Sequence, residues 1–138
     1  MVWATRYPGT AGGHHSQTHD EGDPWSDVHG ATVCIMECFG DMLVAFQDIP
    51  KTGETLLDHM AVLGSTDLSW DHSPNDFPIL VGGGGCGYLK TPGVHHRSSS
   101  RENASKVLLS VIRAAGVDLP DFGNGGGRVT QSCTELES

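Results

Sequence analysis

Positive charge is scarce in this chain. Its 138 residues hold eight Lys plus Arg against seventeen Asp plus Glu, a formal net charge of -9. No basic stripe exists, which argues against nucleic acid as a partner, because that binding rests on neutralising phosphates. It argues equally against holding an anionic substrate by side chains alone. A phosphate or sulfate ester would need a bound cation to supply the positive field. Cysteine pairs are missing as well. Cys34, Cys38, Cys86 and Cys133 form no CxxC, so the pattern is neither a zinc ribbon nor a dense disulfide framework. Cys34 and Cys38, four apart on an apparent helix, read as two small buried apolar residues. No run of about twenty apolar residues occurs, so no membrane partner is expected. The opening Met1-Val2-Trp3-Ala4-Thr5-Arg6 lacks a signal-peptide core.

What is abundant is glycine and histidine. The 19 glycines are about twice an average share, while apolar residues make up 37%. A chain of this length suits one domain, or part of a larger one, and can bury about two-thirds of its unfolded surface. Such a composition predicts a loop-rich fold with short regular elements.

Three of the eight histidines fall within Gly13-His14-His15-Ser16-Gln17-Thr18-His19-Asp20. Neutral imidazole is a preferred ligand for zinc and related ions, and carboxylate oxygen completes such sites. His15 and His19 are four apart, which puts both rings on one face of a helical turn and lets them converge on an irregular one. The competing reading is a polar loop that is merely histidine-rich. Ser16 and Thr18 offer hydroxyls that could act as nucleophiles or orient the rings.

Residues 1–27 are punctuated by Pro8, Gly9, Gly12, Gly13, Gly22 and Pro24 and are expected to be an irregular, histidine-rich loop. An α/β segment over 28–123 follows. Its first helix is expected at about 28–47, with Ile35, Cys38 or Phe39, Met42 and Phe46 on a buried face. Residues 60–64 and 78–81 read as short strands. Their continuous apolar runs suit strands covered on both faces, as in a mixed or parallel sheet. Gly82, Gly84 and Gly87 formally match GxGxxG, but Tyr88-Leu89-Lys90-Thr91-Pro92-Gly93 does not start a helix, so close approach of backbone to backbone, or to a ligand, is the better use of these glycines. A last helix is expected at about 103–115. Val107, Leu108, Val111, Ile112 and Ala115 form its stripe, Asn103 or a serine caps its start, and Gly116 stands at C′. Residues 124–138 are expected to be a flexible tail. Two strands make a poor sheet, which suggests a fragment of a larger domain.

Ligand-type residues collect at three places: His15, His19 and Asp20; then Asp67, just past the first strand; then Asp71 and His72 in the loop that follows. Ligands in open α/β sheets gather outside the carboxyl ends of strands. If the histidine loop folds over that edge, His15, His19, Asp20, Asp67 and His72 could share a divalent metal, with zinc favoured and calcium or manganese as alternatives. Taken singly, Asp67 reads as a turn cap and His72 as a surface histidine.

The hexapeptide His15-Ser16-Gln17-Thr18-His19-Asp20 resembles the motif of the bacterial HxxSHH family, proteins of unassigned function, with Thr18 for Ser and Asp20 for the last His. Gly53-Glu54-Thr55-Leu56-Leu57-Asp58 is similar to that family's G-T-LLD segment. Residues 65–87 are similar to its loop with a lone His followed by a glycine run. Lys90-Thr91-Pro92-Gly93, Gly116-Val117 and Phe122-Gly123 also fit, so the resemblance runs from about residue 9 to about residue 128. That family looks distantly like the alkaline phosphatase and sulfatase superfamily, a mixed sheet sandwiched by helices. The resemblance implies a partial alkaline-phosphatase-like fold, a short mixed or parallel sheet with flanking helices. It implies His15 and His19 as a spaced ligand pair, Asp67 as the post-strand acid and His72 as the later His. His15 stands where the superfamily has Asp, and Leu68 where many relatives have His. The superfamily's nucleophile lies near its N-terminal end, in a part of the fold expected to be missing from this chain.

Three functional expectations follow. The chain is a metal-binding segment of a phosphate or sulfate ester hydrolase, not catalytic by itself and acting on a small anionic ester. Alternatively it is a non-catalytic exported metal- or ligand-binding protein, or an inert truncated piece. By resemblance alone the location is periplasmic or secreted.

Overall fold

The computed structural model describes residues 14–69, 72–90 and 93–138. Asp71, Trp70, the Thr91-Pro92 of the expected Lys90 to Gly93 block, and the prolines and glycines before His14 lie outside the described residues. The chain divides into two units, Met1–Met42 and Leu43–Ser138.

In the first unit the stretch expected to be irregular carries a helix, α1, at His14–Asp20. A second helix, α2, runs Ser26–Gln47 across the division, close to the expected bounds. Its start is secured by a carboxylate that the sequence reading did not single out. Glu21 Oε1 accepts from the Asp27 N–H at 2.7 Å, and Oε2 accepts from the Val28 N–H at 2.8 Å. Ser26 Oγ donates to Oε1 at 3.2 Å. These are the amide groups that a helix leaves unpaired at its first turn, and a negative charge there also suits the helix dipole. Partial burial pushes the Glu21 pKa up, but these donors outweigh it and hold the carboxyl below its ordinary value.

The expected buried face of α2 is not buried. Ile35 and Met42 are exposed, together with Val33, Met36 and Val44, and Ala31 is its buried residue. A period of 3.6 specifies a face but not a partner for it. The expectation that no segment could cross a membrane also needs correction. By length and composition alone α2 is long and apolar enough, although it carries Asp27, Glu37 and Asp41.

The second unit begins with a hairpin, β1 (Pro50–Lys51) against β2 (Glu54–Thr55). Its two-residue turn, Thr52 and Gly53, has φ of 50° and 88°, the left-handed pair that fits the strand twist. A single 3-10 turn at Leu57–His59 follows. Asp58 Oδ2 braces it by accepting from the Thr55 N–H and hydroxyl, both at 2.7 Å.

Strands β3 (Val62–Ser65) and β4 (Ile79–Gly82) then pair, with Val62 opposite Gly82 and Ser65 opposite Ile79. The architecture is broadly α/β, but this sheet is antiparallel and two-stranded, not parallel or mixed. A parallel pair needs a crossover, usually a helix. The polar residues between these strands form no α-helix among those described, and the chain simply returns. Nor is β3 covered on both faces, since its residues alternate between half-buried and exposed.

The glycine run after β4 turns into a 3-10 turn, Gly85–Gly87, so no dinucleotide-type helix starts there. Helix α3 (Ser105–Ala114) buries Leu109, Ser110 and Ala114, one step round from the expected stripe. Asn103 Oδ1 accepts from the Ser105 N–H at 3.0 Å. At the far end Gly116, φ +84°, closes a Schellman motif: its N–H reaches Arg113 O at 2.9 Å, and the Val117 N–H reaches Ile112 O at 3.2 Å.

Residues 124–138 are not a loose tail. The Lys90 N–H donates to Leu136 O at 2.8 Å and the Ser138 N–H to Tyr88 O at 3.0 Å. Ser132 and Cys133 are buried. The fully buried Ser110 Oγ accepts from the Cys133 N–H at 2.9 Å and donates to Glu137 Oε1 at 2.8 Å.

Candidate metal and thiol sites

The expected metal ligands are distributed between the two units. On α1, His15 and His19 share a face, as the spacing requires. Their ring centroids are 4.8 Å apart in an edge-on arrangement, and ligand nitrogens of the two lie within 4.8 Å of each other. Both are exposed. The Thr18 hydroxyl donates to His15 O at 2.7 Å, so it is tied to the backbone of the same turn. Asp20 follows His19 and is turned about 100° further round the axis. Asp67 and His72 belong to the second unit, where Asp67 stands just past β3 as expected and His72 is exposed with φ 55°.

A donor group that the sequence reading missed lies in the second unit. His96, Cys133 and Glu135 present ligand atoms within 4.8 Å of one another. The described residues thus include a His/Cys/Glu group compatible with a metal ion. The same side chains already interact among themselves. Cys133 Sγ donates to Glu135 Oε2 at 3.5 Å, His96 Nε2 is 3.8 Å from Glu102, and Glu102 pairs with Lys106 at 2.6 Å. Burial, and then the hydrogen bond and charge of Glu135, push the Cys133 thiol up. A metal would have to displace that proton and sit near the Lys106 ammonium. The sequence signal is weak here, because His96 and Cys133 are far apart along the chain.

A third arrangement joins β2, the Leu57–His59 turn and the glycine run. His59 Nδ1 is 3.3 Å from Cys86 Sγ, and His59 Nε2 is 2.7 Å from Glu54 Oε2. The second is a close approach without the alignment of a hydrogen bond, and Nε2 is enclosed. Backbone packing fixes these parts. Gly83 and Gly84 lie so close to the 57–60 backbone that a Cβ at Gly84 would stand 2.8 Å from Asp58 O, and one at Gly85 would stand 2.7 Å from the Ala114 Cβ. The Gly84 N–H donates to Leu57 O at 3.0 Å and the Gly85 N–H to Met60 O at 2.9 Å. Close backbone approach was the expected use of these glycines. Cys86 itself is exposed and left-handed, φ 56° and ψ 35°. It opens on a cleft of about 500 Å³ lined by His59, Cys86, Tyr88, Arg113, Ala114 and Gly116 among others. Arg113 is anchored through Nε and Nη2 to Leu119 O and through Nη1 to Ser132 Oγ. The signal for this site was a cysteine flanked by glycines, Gly84-Gly85-Cys86-Gly87.

Comparison with family models, with curated proteins and with solved structures gave no match.

Proposed function

We propose that this chain is a divalent-metal-binding segment, with His15 and His19 as ligands and zinc as the favoured ion. The observation that supports this reading is the facing pair of imidazoles one helical turn apart on α1. Two histidines at this spacing chelate without a change of backbone, and imidazole suits zinc and neighbouring ions. A seven-residue helix is too short to be stable on its own propensity, so an ion bridging its two turns would also stabilise it. Asp67 and His72 lie in the other unit, and the proposal rests on α1.

With the HxxSHH resemblance, the reading extends to a role within an exported protein related to phosphate and sulfate ester hydrolases. There a metal would polarise the ester oxygen. His15 and His19 would hold the ion, and the chain's own acidic surface would leave substrate anions dependent on it. A second metal reading is favoured by the three donors His96, Cys133 and Glu135.

The test is zinc titration of the purified chain against a chromophoric chelator. Three samples are compared: the wild type, His15→Ala/His19→Ala, and His96→Ala/Glu135→Gln. Loss of high-affinity zinc in the first variant alone is the expected result. Loss only in the second moves the site to the 96–135 group. Undiminished binding in both, or no binding by the wild type, removes the proposal.

A further inference from the structure

The Glu54, His59 and Cys86 arrangement points to a chemistry separate from metal binding. We propose that Cys86 is a nucleophilic thiol, served by His59 as general base, that accepts the acyl group of a small activated ester or thioester bound in the adjoining cleft.

Four observations carry this. First, a thiol and an imidazole nitrogen stand 3.3 Å apart, within reach for proton transfer at sulfur, and a carboxylate stands 2.7 Å from the other ring nitrogen. Nucleophile, base and orienting group in that order is the recurrent layout of cysteine acyl-transfer sites. Second, the His59 side chain is 22% exposed and Glu54 is the acidic group at its enclosed nitrogen. The neutral tautomer that carries its hydrogen on Nε2, the ring nitrogen on Glu54's side, presents Nδ1 as an acceptor for the thiol proton. Third, Cys86 holds a left-handed conformation that L residues rarely adopt, between two glycines, with its side chain exposed. It contributes no buried packing that would account for a cysteine there. Fourth, the spacing is set by backbone, through the glycine contacts on residues 57–60 and on Ala114. Such rigid support is what a reacting pair requires. The charged and titratable groups around His59 are Glu54 on β2, Asp58 in its own turn, Cys86, and Tyr88 and Arg113 on the cleft walls.

The Sγ–H proton passes to His59 Nδ1 while Sγ bonds to the carbonyl carbon. The tetrahedral adduct collapses, the bond to the leaving oxygen or sulfur breaks, and that atom takes the proton back from Nδ1. The products are an S-acyl thioester on Cys86 and a free alcohol or thiol. Water then cleaves the thioester to carboxylic acid and thiol.

The probe is p-nitrophenyl acetate at neutral pH with EDTA present, so that loss of metal binding cannot mimic the result. Acetylation is followed at each cysteine by peptide mass spectrometry. The exposed Cys38 in the first unit is the internal reference. The expected result is Cys86 acetylated about 10²-fold faster than Cys38, with His59→Gln bringing the ratio close to one. Glu54, a positioning residue, gives a smaller loss as Glu54→Gln and partial rescue as Glu54→Asp. Circular dichroism reports whether each variant folds. Because the Glu54 side chain is exposed, the Glu54→Gln result decides if His59→Gln does not fold. Equal rates at Cys86 and Cys38, or a ratio unchanged in a folded His59→Gln or Glu54→Gln chain, overturns the proposal.

Discussion

Replacing Gly83 by alanine tests whether backbone contact, more than any side chain, holds the Leu57–His59 turn against the glycine run. Gly83 has φ +95°, and a methyl there would overlap Met60 O and stand 3.0 Å from Leu57 O. A non-glycine residue in that conformation costs about 1–3 kcal/mol. The overlap cannot be relieved by a side-chain rotation, because both atoms are backbone carbonyls. Those carbonyls also accept the Gly84 and Gly85 N–H bonds. Moving them away weakens one or both bonds, at roughly 1 kcal/mol each. The sum is about 2–5 kcal/mol for Gly83→Ala. Gly87 is the control. It is also left-handed, φ +86°, but nothing lies within 4 Å of its would-be Cβ, so only the conformational cost of about 1–2 kcal/mol remains. The measurement is denaturant-dependent hydrogen exchange of α3 and β3–β4 amides in both variants. A loss of about 2–5 kcal/mol in the opening free energy of those amides is expected for Gly83→Ala, which in a thermal scan corresponds to a melting temperature lower by roughly 8 °C or more. Equal destabilisation by the two variants, within about 0.5 kcal/mol, would refute the backbone-contact argument.

Two further outcomes follow from the packing and from the titrating groups. Leu109 is fully buried on α3, and Leu109→Ala is expected to destabilise the second unit by about 2–5 kcal/mol in urea titration, whereas Val94→Ala, at an exposed site, is expected to stay within about 0.5 kcal/mol. Acid should loosen both units. Thr55 holds the Asp58 carboxyl below its ordinary range, the Arg128 guanidinium does the same for Asp121, and the donors at the start of α2 outweigh burial at Glu21. Groups with depressed folded pKa values stabilise fully above their unfolded values, about 4.3 for Glu and 3.9 for Asp, and lose that contribution as pH falls through the folded values. Helicity followed from pH 6 to pH 2 should therefore fall below pH of about 4.3, and Glu21→Gln should remove the part that belongs to α2. A flat profile for the wild type would contradict the capping role of Glu21.

Some of this was legible in the residues. Gly116 after an amphipathic run marked the end of α3, because only a residue at ease with positive φ closes a Schellman motif there. The glycine cluster announced close backbone approach. Other features depend on distant partners and left no local trace. The apolar run in β3 suggested a doubly covered strand, yet its direction relative to β4 is set by how the intervening loop closes. The periodicity of α2 could be read, but whether Ile35 and Met42 meet another surface could not. The histidine stretch reads as loop by composition, whereas its residues form a helix in which the Thr18 hydroxyl donates to His15 O and the Glu21 N–H to Gln17 O. Glu54, His59 and Cys86 are brought together by backbone contacts between segments far apart in sequence, so only the glycines around Cys86 hinted at them. Residues 124–138 look polar and dispensable, and their role rests on Ser110, a buried hydroxyl that periodicity treats as neutral.

The pinning of the last residues has a temporal consequence. Helices α1 and α2 rest on bonds between near neighbours, whereas Tyr88 with Ser138, Lys90 with Leu136 and Ser110 with Cys133 each close a long loop. Long closures are entropically slow and wait for the later partner to exist. A chain emerging from its N-terminus can wind α1 and α2 early, while α3 keeps an uncovered side until the segment from Ser132 onward arrives.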